Sequence, residues 1–93
     1  MNRMTKNKLQ HAINCLNDAF GYHREQAQPF VKGQRLIPNP NTFFYQANGY
    51  GVRLEQVCNG GGARDISPNG TLRTTYDYVQ GMLSALYEME RVN

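Results

Sequence analysis

Leu9, Ala12, Ile13, Leu16 and Phe20 recur at i, i+3, i+4, i+7 and i+11, which lines them along one stripe of a helix. Thr5 precedes the run, where its hydroxyl can accept an orphan N–H of the first turn, and Gly21 follows it, where the left-handed conformation ends a helix. The spacing predicts a helix over Lys6–Phe20. A second stripe, Leu72, Tyr76, Val79, Leu83, Leu86 and Tyr87 with Met82 and Met89 on its flanks, predicts a longer helix from about Leu72 to Glu90, capped by Thr71. Gly81 inside it costs about 1 kcal/mol against Ala, which suggests a close packing partner at that point.

Between the two stripes the period changes. Thr42–Ala47 (TFFYQA) and Tyr50–Cys58 (YGVRLEQVC) are rich in aromatic and β-branched residues and read as strands. Asn48-Gly49 lies between them, a strong hairpin signal because a type I′ turn needs φ > 0 at both central residues. Val52, Leu54, Gln56 and Cys58 share one face, expected to meet the helices; Arg53, Glu55 and Val57 share the other. Gly60-Gly61-Gly62 breaks the pattern as a wide turn, Ala63–Ile66 reads as a third short strand, and Ser67-Pro68-Asn69-Gly70 is turn chemistry. Tyr22–Asn41 holds Pro29, Pro38 and Pro40 and predicts a long irregular loop, with a short extended piece at Arg35–Ile37. Phe30, Val31, Leu36 and Ile37 are the residues able to pin it to the core. The expected fold class is α+β: one domain over residues 1–93, with an N-terminal helix, an antiparallel β-hairpin with a third strand, and a long C-terminal helix, both helices on one face of the sheet.

Composition narrows the class. Ninety-three residues hold one small domain. Charged residues are 18%, below the ~25% usual in soluble domains, and ten Asn and nine Gly take up the difference. That excludes a coiled coil and a disordered polyelectrolyte. No apolar run approaches ~18 residues, so no membrane partner is expected. The basic start MNRMTKNK leads into no apolar stretch of signal-peptide length, which predicts a cytoplasmic protein.

The net charge is +3 and the pI about 9.1, a mild bias compatible with an anionic partner. Seven of the ten basic residues are Arg, whose planar fork suits phosphate and carboxylate. Cys15 and Cys58 have no CxxC spacing, and His11 and His23 complete no zinc set, so two free thiols and no metal or other cofactor are expected. His11 and Cys15 are neighbours at i, i+4, but no orienting third group or oxyanion donor accompanies them. The chain therefore reads as a non-enzyme.

The most suggestive segment is Asn59-Gly60-Gly61-Gly62-Ala63-Arg64. It lacks the Gly-Lys-Ser/Thr ending of a phosphate-binding loop, yet its backbone N–H groups could form an anion-binding nest. Thr71, Arg73 and Thr74 follow at the start of the second long helix, where unpaired N–H groups favour negative charge. The plainer reading is a flexible turn and an ordinary cap. Tyr50 and Arg53 on the hairpin add an aromatic and a cation to the candidate surface, and such a sheet could stack bases, although alternate hairpin positions must face the core. The candidate binding residues are thus Gly60, Gly61, Gly62, Arg64, Thr71, Arg73, Thr74, Tyr50 and Arg53, with Arg64 and Arg73 the charges expected to carry recognition.

From Phe44 to Leu86 the chain resembles a family of small proteins of tailed bacteriophages. The matching pieces are Phe44-Tyr45, Tyr50-Gly51, Arg53-Leu54, Asn59–Gly62, Asp65-Ile66-Ser67, Gly70-Thr71, Arg73 and Tyr76-Asp77. Leu72 and Thr74 stand where that family's pattern has Lys and Glu. The resemblance implies a phage accessory protein acting by binding in the cytoplasm of an infected bacterium. An inhibitor of a host enzyme or defence system, of the anti-CRISPR kind, is the leading expectation, its target a protein or an anionic nucleotide. The alternative is a nucleic-acid-binding accessory protein of phage replication or regulation. Homo-oligomers fit either reading.

Overall fold

The computed structural model describes residues 3–92. Helix α1 (Lys6–Phe20) starts and stops at its expected caps. Thr5 Oγ1 accepts the Lys8 N–H at 3.2 Å, and Gly21, at φ 77°, donates its N–H to the carbonyls of Asn17 and Asp18. Helix α2 (Leu72–Val92) runs two residues beyond the expected end. Its start is closed by a reciprocal pair: the Thr74 N–H donates to Thr71 Oγ1 at 3.1 Å and the Thr71 N–H to Thr74 Oγ1 at 2.8 Å.

Strands β1 (Phe43–Asn48), β2 (Gly51–Val57) and β3 (Ala63–Asp65) form one antiparallel sheet in the order β1-β2-β3. Phe43 and Tyr45 stand opposite Gln56 and Leu54. Phe43 and Leu54 join Leu9, Ile13, Leu16, Val79 and Leu83 in one buried cluster. Both helices therefore cover the Val52/Leu54 face, as alternation predicts. Side chains of both helices hydrogen-bond to the β1 and β2 backbone. The Asn17 carboxamide, near the end of α1, donates to the Phe43 carbonyl at 2.9 Å and accepts the Phe43 N–H at 2.8 Å. Thr75, near the start of α2, donates to the Val52 carbonyl at 3.2 Å. These anchors lie at opposite ends of the sheet, so the two helices run in the same direction.

The hairpin turn differs from expectation. Asn48 pairs with Gly51, so Gly49 and Tyr50 are its central residues, and Gly51 carries the positive φ, at 135°. Asn48 Oδ1 instead accepts the Tyr50 N–H at 2.8 Å. The cause is non-local. Gly70 exchanges two backbone hydrogen bonds with Val52, at 2.8 and 2.9 Å, and the Asn69 carboxamide donates to the Tyr50 carbonyl, so segment 69–70 closes on the strand at Gly51. A turn on Asn48-Gly49 would set Tyr45 opposite Val52 instead of Leu54. The shift is two residues, which leaves every side chain on its expected face.

Three packing expectations are corrected. Phe20 closes the α1 stripe in sequence but is 42% exposed, stacked on Tyr22 with centroids 5.4 Å apart. Its place in the core is taken by Asn17, fully buried. Tyr87 is 55% exposed because α2 continues past the sheet. Gly81 faces solvent, and a Cβ there would meet nothing within 4 Å; the glycine relieves no close contact. Gly81→Ala is accordingly expected to stabilise the protein by about 0.5–1 kcal/mol, read as a rise of several degrees in thermal midpoint. An unchanged or lower midpoint would show a packing role for that glycine.

The long loop is the largest departure. Residues 26–39 fold back on themselves as an arm: the Gln28 N–H donates to the Ile37 carbonyl at 2.8 Å, the Asn39 N–H to the Gln26 carbonyl at 2.9 Å, and Ala27 bridges Pro38. A turn closed by the Gln34 N–H on the Val31 carbonyl, at 3.0 Å, forms the tip. Phe30, Val31, Leu36 and Ile37 do not pin it. They are 52–71% exposed. Polar groups hold the base: Thr42 Oγ1 donates to the His23 carbonyl at 2.9 Å and Asn39 Nδ2 to the Glu25 carbonyl at 2.9 Å. Asn39-Pro40-Asn41-Thr42 then turns into β1 with Asn41 at φ 76°, the arrangement of a type II turn with Pro second and Asn third.

Candidate functional site

The outer face of the sheet, away from the helices, carries Phe44, Arg53, Glu55, Val57 and Asp65 by strand alternation. At its Val57 end the arm leans over it. Phe44 and Val57 form the floor, Arg35, Leu36 and Pro38 of the arm one wall, and Asn59–Ala63 the other, enclosing a cleft of about 450 Å³. Gly60, Gly61 and Gly62 thus line a cavity. The loop is held by its own backbone: the Cys58 N–H donates to the Gly62 carbonyl at 2.7 Å and the Gly61 N–H to the Cys58 carbonyl at 3.0 Å. The Gly61 donor is therefore spent inside the turn. A Cβ on Gly61 would lie 3.5 Å from Pro38 Cγ, so loop and arm are in contact range.

The other sequence-selected residues do not gather there. Gly70 pairs with Val52 and Ala63 with Val57, five residues apart on β2, or about 17 Å. Thr71, Arg73, Thr74 and Tyr50 consequently belong to the opposite end of the sheet. Tyr50 stands 90% exposed at the hairpin tip. Thr71 and Thr74 cap each other, so their groups are engaged in the helix start. The Arg73 guanidinium lies 5.8 Å from the Tyr76 ring centroid. Arg64 donates from Nε and Nη2 to Gln56 Oε1, at 3.1 and 2.6 Å, and Gln56 passes the interaction on to the Asn41 carbonyl at 2.9 Å. Arg53 sits between Glu55 and Asp65, at 3.0 and 3.1 Å, which offsets its charge. The arginines of the sheet are thus held within the fold.

The arm is what the sequence reading missed. Its tip displays four large apolar side chains together with Lys32 and Arg35, and no Asp or Glu occurs between Glu25 and Glu55. The available signal was compositional: Tyr22–Asn41 has three prolines, and after Tyr22 its only large aliphatic or aromatic residues are the four that flank Lys32-Gly33-Gln34-Arg35, which make no periodic face to bury. On the opposite side of the molecule His11 Nε2 and Cys15 Sγ are 3.8 Å apart on α1. Among the described residues no helix is long and apolar enough to cross a membrane.

The chain matches no protein-family model, no curated protein and no solved structure. The fold and site define it at the level of class: an α+β two-layer domain with an apolar, basic arm beside a cleft on the open face of its sheet.

Proposed function

We propose that this is a non-enzymatic binding protein, a phage accessory factor that inhibits a bacterial host or defence protein by seating the arm on it. One observation carries the reading. Phe30, Val31, Leu36 and Ile37 are displayed to water on an ordered arm, an arrangement whose exposure is unfavourable in the free protein and relieved when a partner covers it. Lys32 and Arg35 give the arm a positive rim, suited to a partner surface that is apolar at its centre and acidic around it. The cleft beside the arm offers room for a partner side chain over Phe44 and Val57. Nucleotide or nucleic-acid binding has less support, because Arg53 and Arg64 are engaged with neighbouring side chains.

The test uses the Phe30→Ala/Leu36→Ala variant. Both residues are exposed, so the thermal midpoint should stay within the range of a surface change, about 0.5 kcal/mol. Affinity for the protein captured from nuclease-treated bacterial lysate should fall by about tenfold or more, with little dependence on salt. Capture that survives in the variant would remove the arm from the interface. Capture that vanishes with nuclease and weakens by about 0.7–0.9 log units per phosphate contacted for each log unit of salt would establish the nucleic-acid reading. Association with anionic vesicles, lost in the same variant, would also overturn the proposal.

A further inference from the structure

We propose that a second copy of this chain docks on the outer face of the α1/α2 layer, forming a two-fold dimer. Between the helices runs a groove of about 500 Å³ with Ala12, Cys15 and Leu83 at its base and Tyr76 and Tyr87 along it. Tyr87 stands 55% exposed there, a large amphipathic ring of the type that anchors interfaces.

Charge identifies the occupant. Lys8 lines the groove at the N-terminal end of α1, while Asp18 and Glu90 line its continuation at the C-terminal end. Lys6 adds to the positive end, and α1 has no acidic residue before Asp18. Because α1 and α2 run in the same direction, their macrodipoles reinforce this polarity, positive at the Lys8 end and negative at the Glu90 end. Arg24 donates from Nε and Nη2 to the Asp18 carboxylate, which holds that carboxyl below the ordinary carboxylate range and offsets its charge, so Glu90 carries the negative end of the face.

A face with opposite charges at its two ends complements itself under a two-fold axis through its centre. Each Lys8 end then meets the other copy's Glu90 end, and each Tyr87 meets the other copy's Lys8. The size is sufficient. At 1.5 Å rise per residue α1 is about 22 Å long and α2 about 31 Å, so with ~10 Å between axes the face spans roughly 27 Å by 20 Å, about 1,100 Å² for the pair of copies. Stable interfaces begin near about 1,000 Å². The arm and its cleft lie on the other side of the sheet, so dimerisation leaves both arms free and makes the assembly bivalent.

Light scattering on eluted protein between about 1 and about 200 μM tests this, with the mass expected to rise from 10.6 kDa toward twice that value. Tyr87→Ala should weaken the dimer by about tenfold or more. Lys8→Glu and Glu90→Lys should each weaken it, and the double variant should restore it, because the swapped charges again meet opposites. Circular dichroism establishes that each variant is folded; should Tyr87→Ala fail to fold, the charge pair decides alone. A mass that stays monomeric throughout, a dimer indifferent to these substitutions, or a double variant that remains weak would each overturn the proposal.

Discussion

Asn17→Ala is expected to lower the thermal midpoint by about 15 °C, the cost of about 3 kcal/mol in a domain of this size. The Asn17 side chain is fully buried on α1, and its amide closes both hydrogen-bonding groups of Phe43 where no neighbouring strand reaches them. In effect the carboxamide acts as one residue of a missing strand and fixes the helix to the sheet. Alanine leaves a buried N–H and a buried C=O without partners and a space where the side chain was. Against a total stability of about 5–14 kcal/mol, this is a large fraction.

Asn17→Asp separates the hydrogen bonds from the lost volume. A carboxylate can accept the Phe43 N–H but faces the Phe43 carbonyl without a proton to donate, whereas the protonated acid can do both. The folded state therefore raises the carboxyl's pKa. The resulting penalty is present above the unfolded-state value and is relieved as pH falls toward it. The difference in stability between Asn17→Asp and the wild type should be smaller near about pH 4 than near about pH 7. A difference that widens on acidification would show that the two hydrogen bonds do not govern this site.

Gly51→Ala should cost about 3 kcal/mol as well. Gly51 adopts φ 135°, and a Cβ there would lie 2.8 Å from both Asn69 Nδ2 and the Gly70 carbonyl oxygen, so backbone strain and a clash with backbone combine. Gly49 makes the comparison informative. It has negative φ and nothing within 4 Å of an added Cβ, so Gly49→Ala should change stability by no more than about 0.5 kcal/mol. A type I′ turn on Asn48-Gly49 would reverse that order, since Gly49 would then need positive φ. Urea unfolding of the two variants distinguishes the registers directly.

The candidate site was partly legible. The Gly-rich turn was visible because three consecutive glycines suit no strand, and it does line the cleft. Its partner wall was not visible. Arg35, Leu36 and Pro38 reach the same cavity from more than twenty residues away, through a bridge between Ala27 and Pro38 that no local pattern encodes. Arg64 and Arg73 looked adjacent because they are close in sequence. The β2 register separates the segments that bear them, and Gln56 and Tyr76 occupy their side chains.

Local interactions were enough to determine α1, α2, the three strands and the face each strand turns to the helices. Caps such as Thr5 and Gly21 act within one turn, and periods of 3.6 and 2 are written in neighbouring residues. Tertiary structure alone decided three things. It buried Asn17 and exposed Phe20, because Phe43 needed two hydrogen bonds more than the core needed another ring. It moved the hairpin turn to Gly49-Tyr50, because segment 69–70 closes on Gly51. It turned the proline-rich loop into an arm with its apolar residues outward, because backbone hydrogen bonds close Gln28 on Ile37 and Asn39 on Gln26 while the side chains of Asn39 and Thr42 hold its base. In the first two cases the deciding partner lies at least 18 residues away along the chain, and the bonds that close and anchor the arm span 9 to 19 residues, beyond the reach of a helix or strand period.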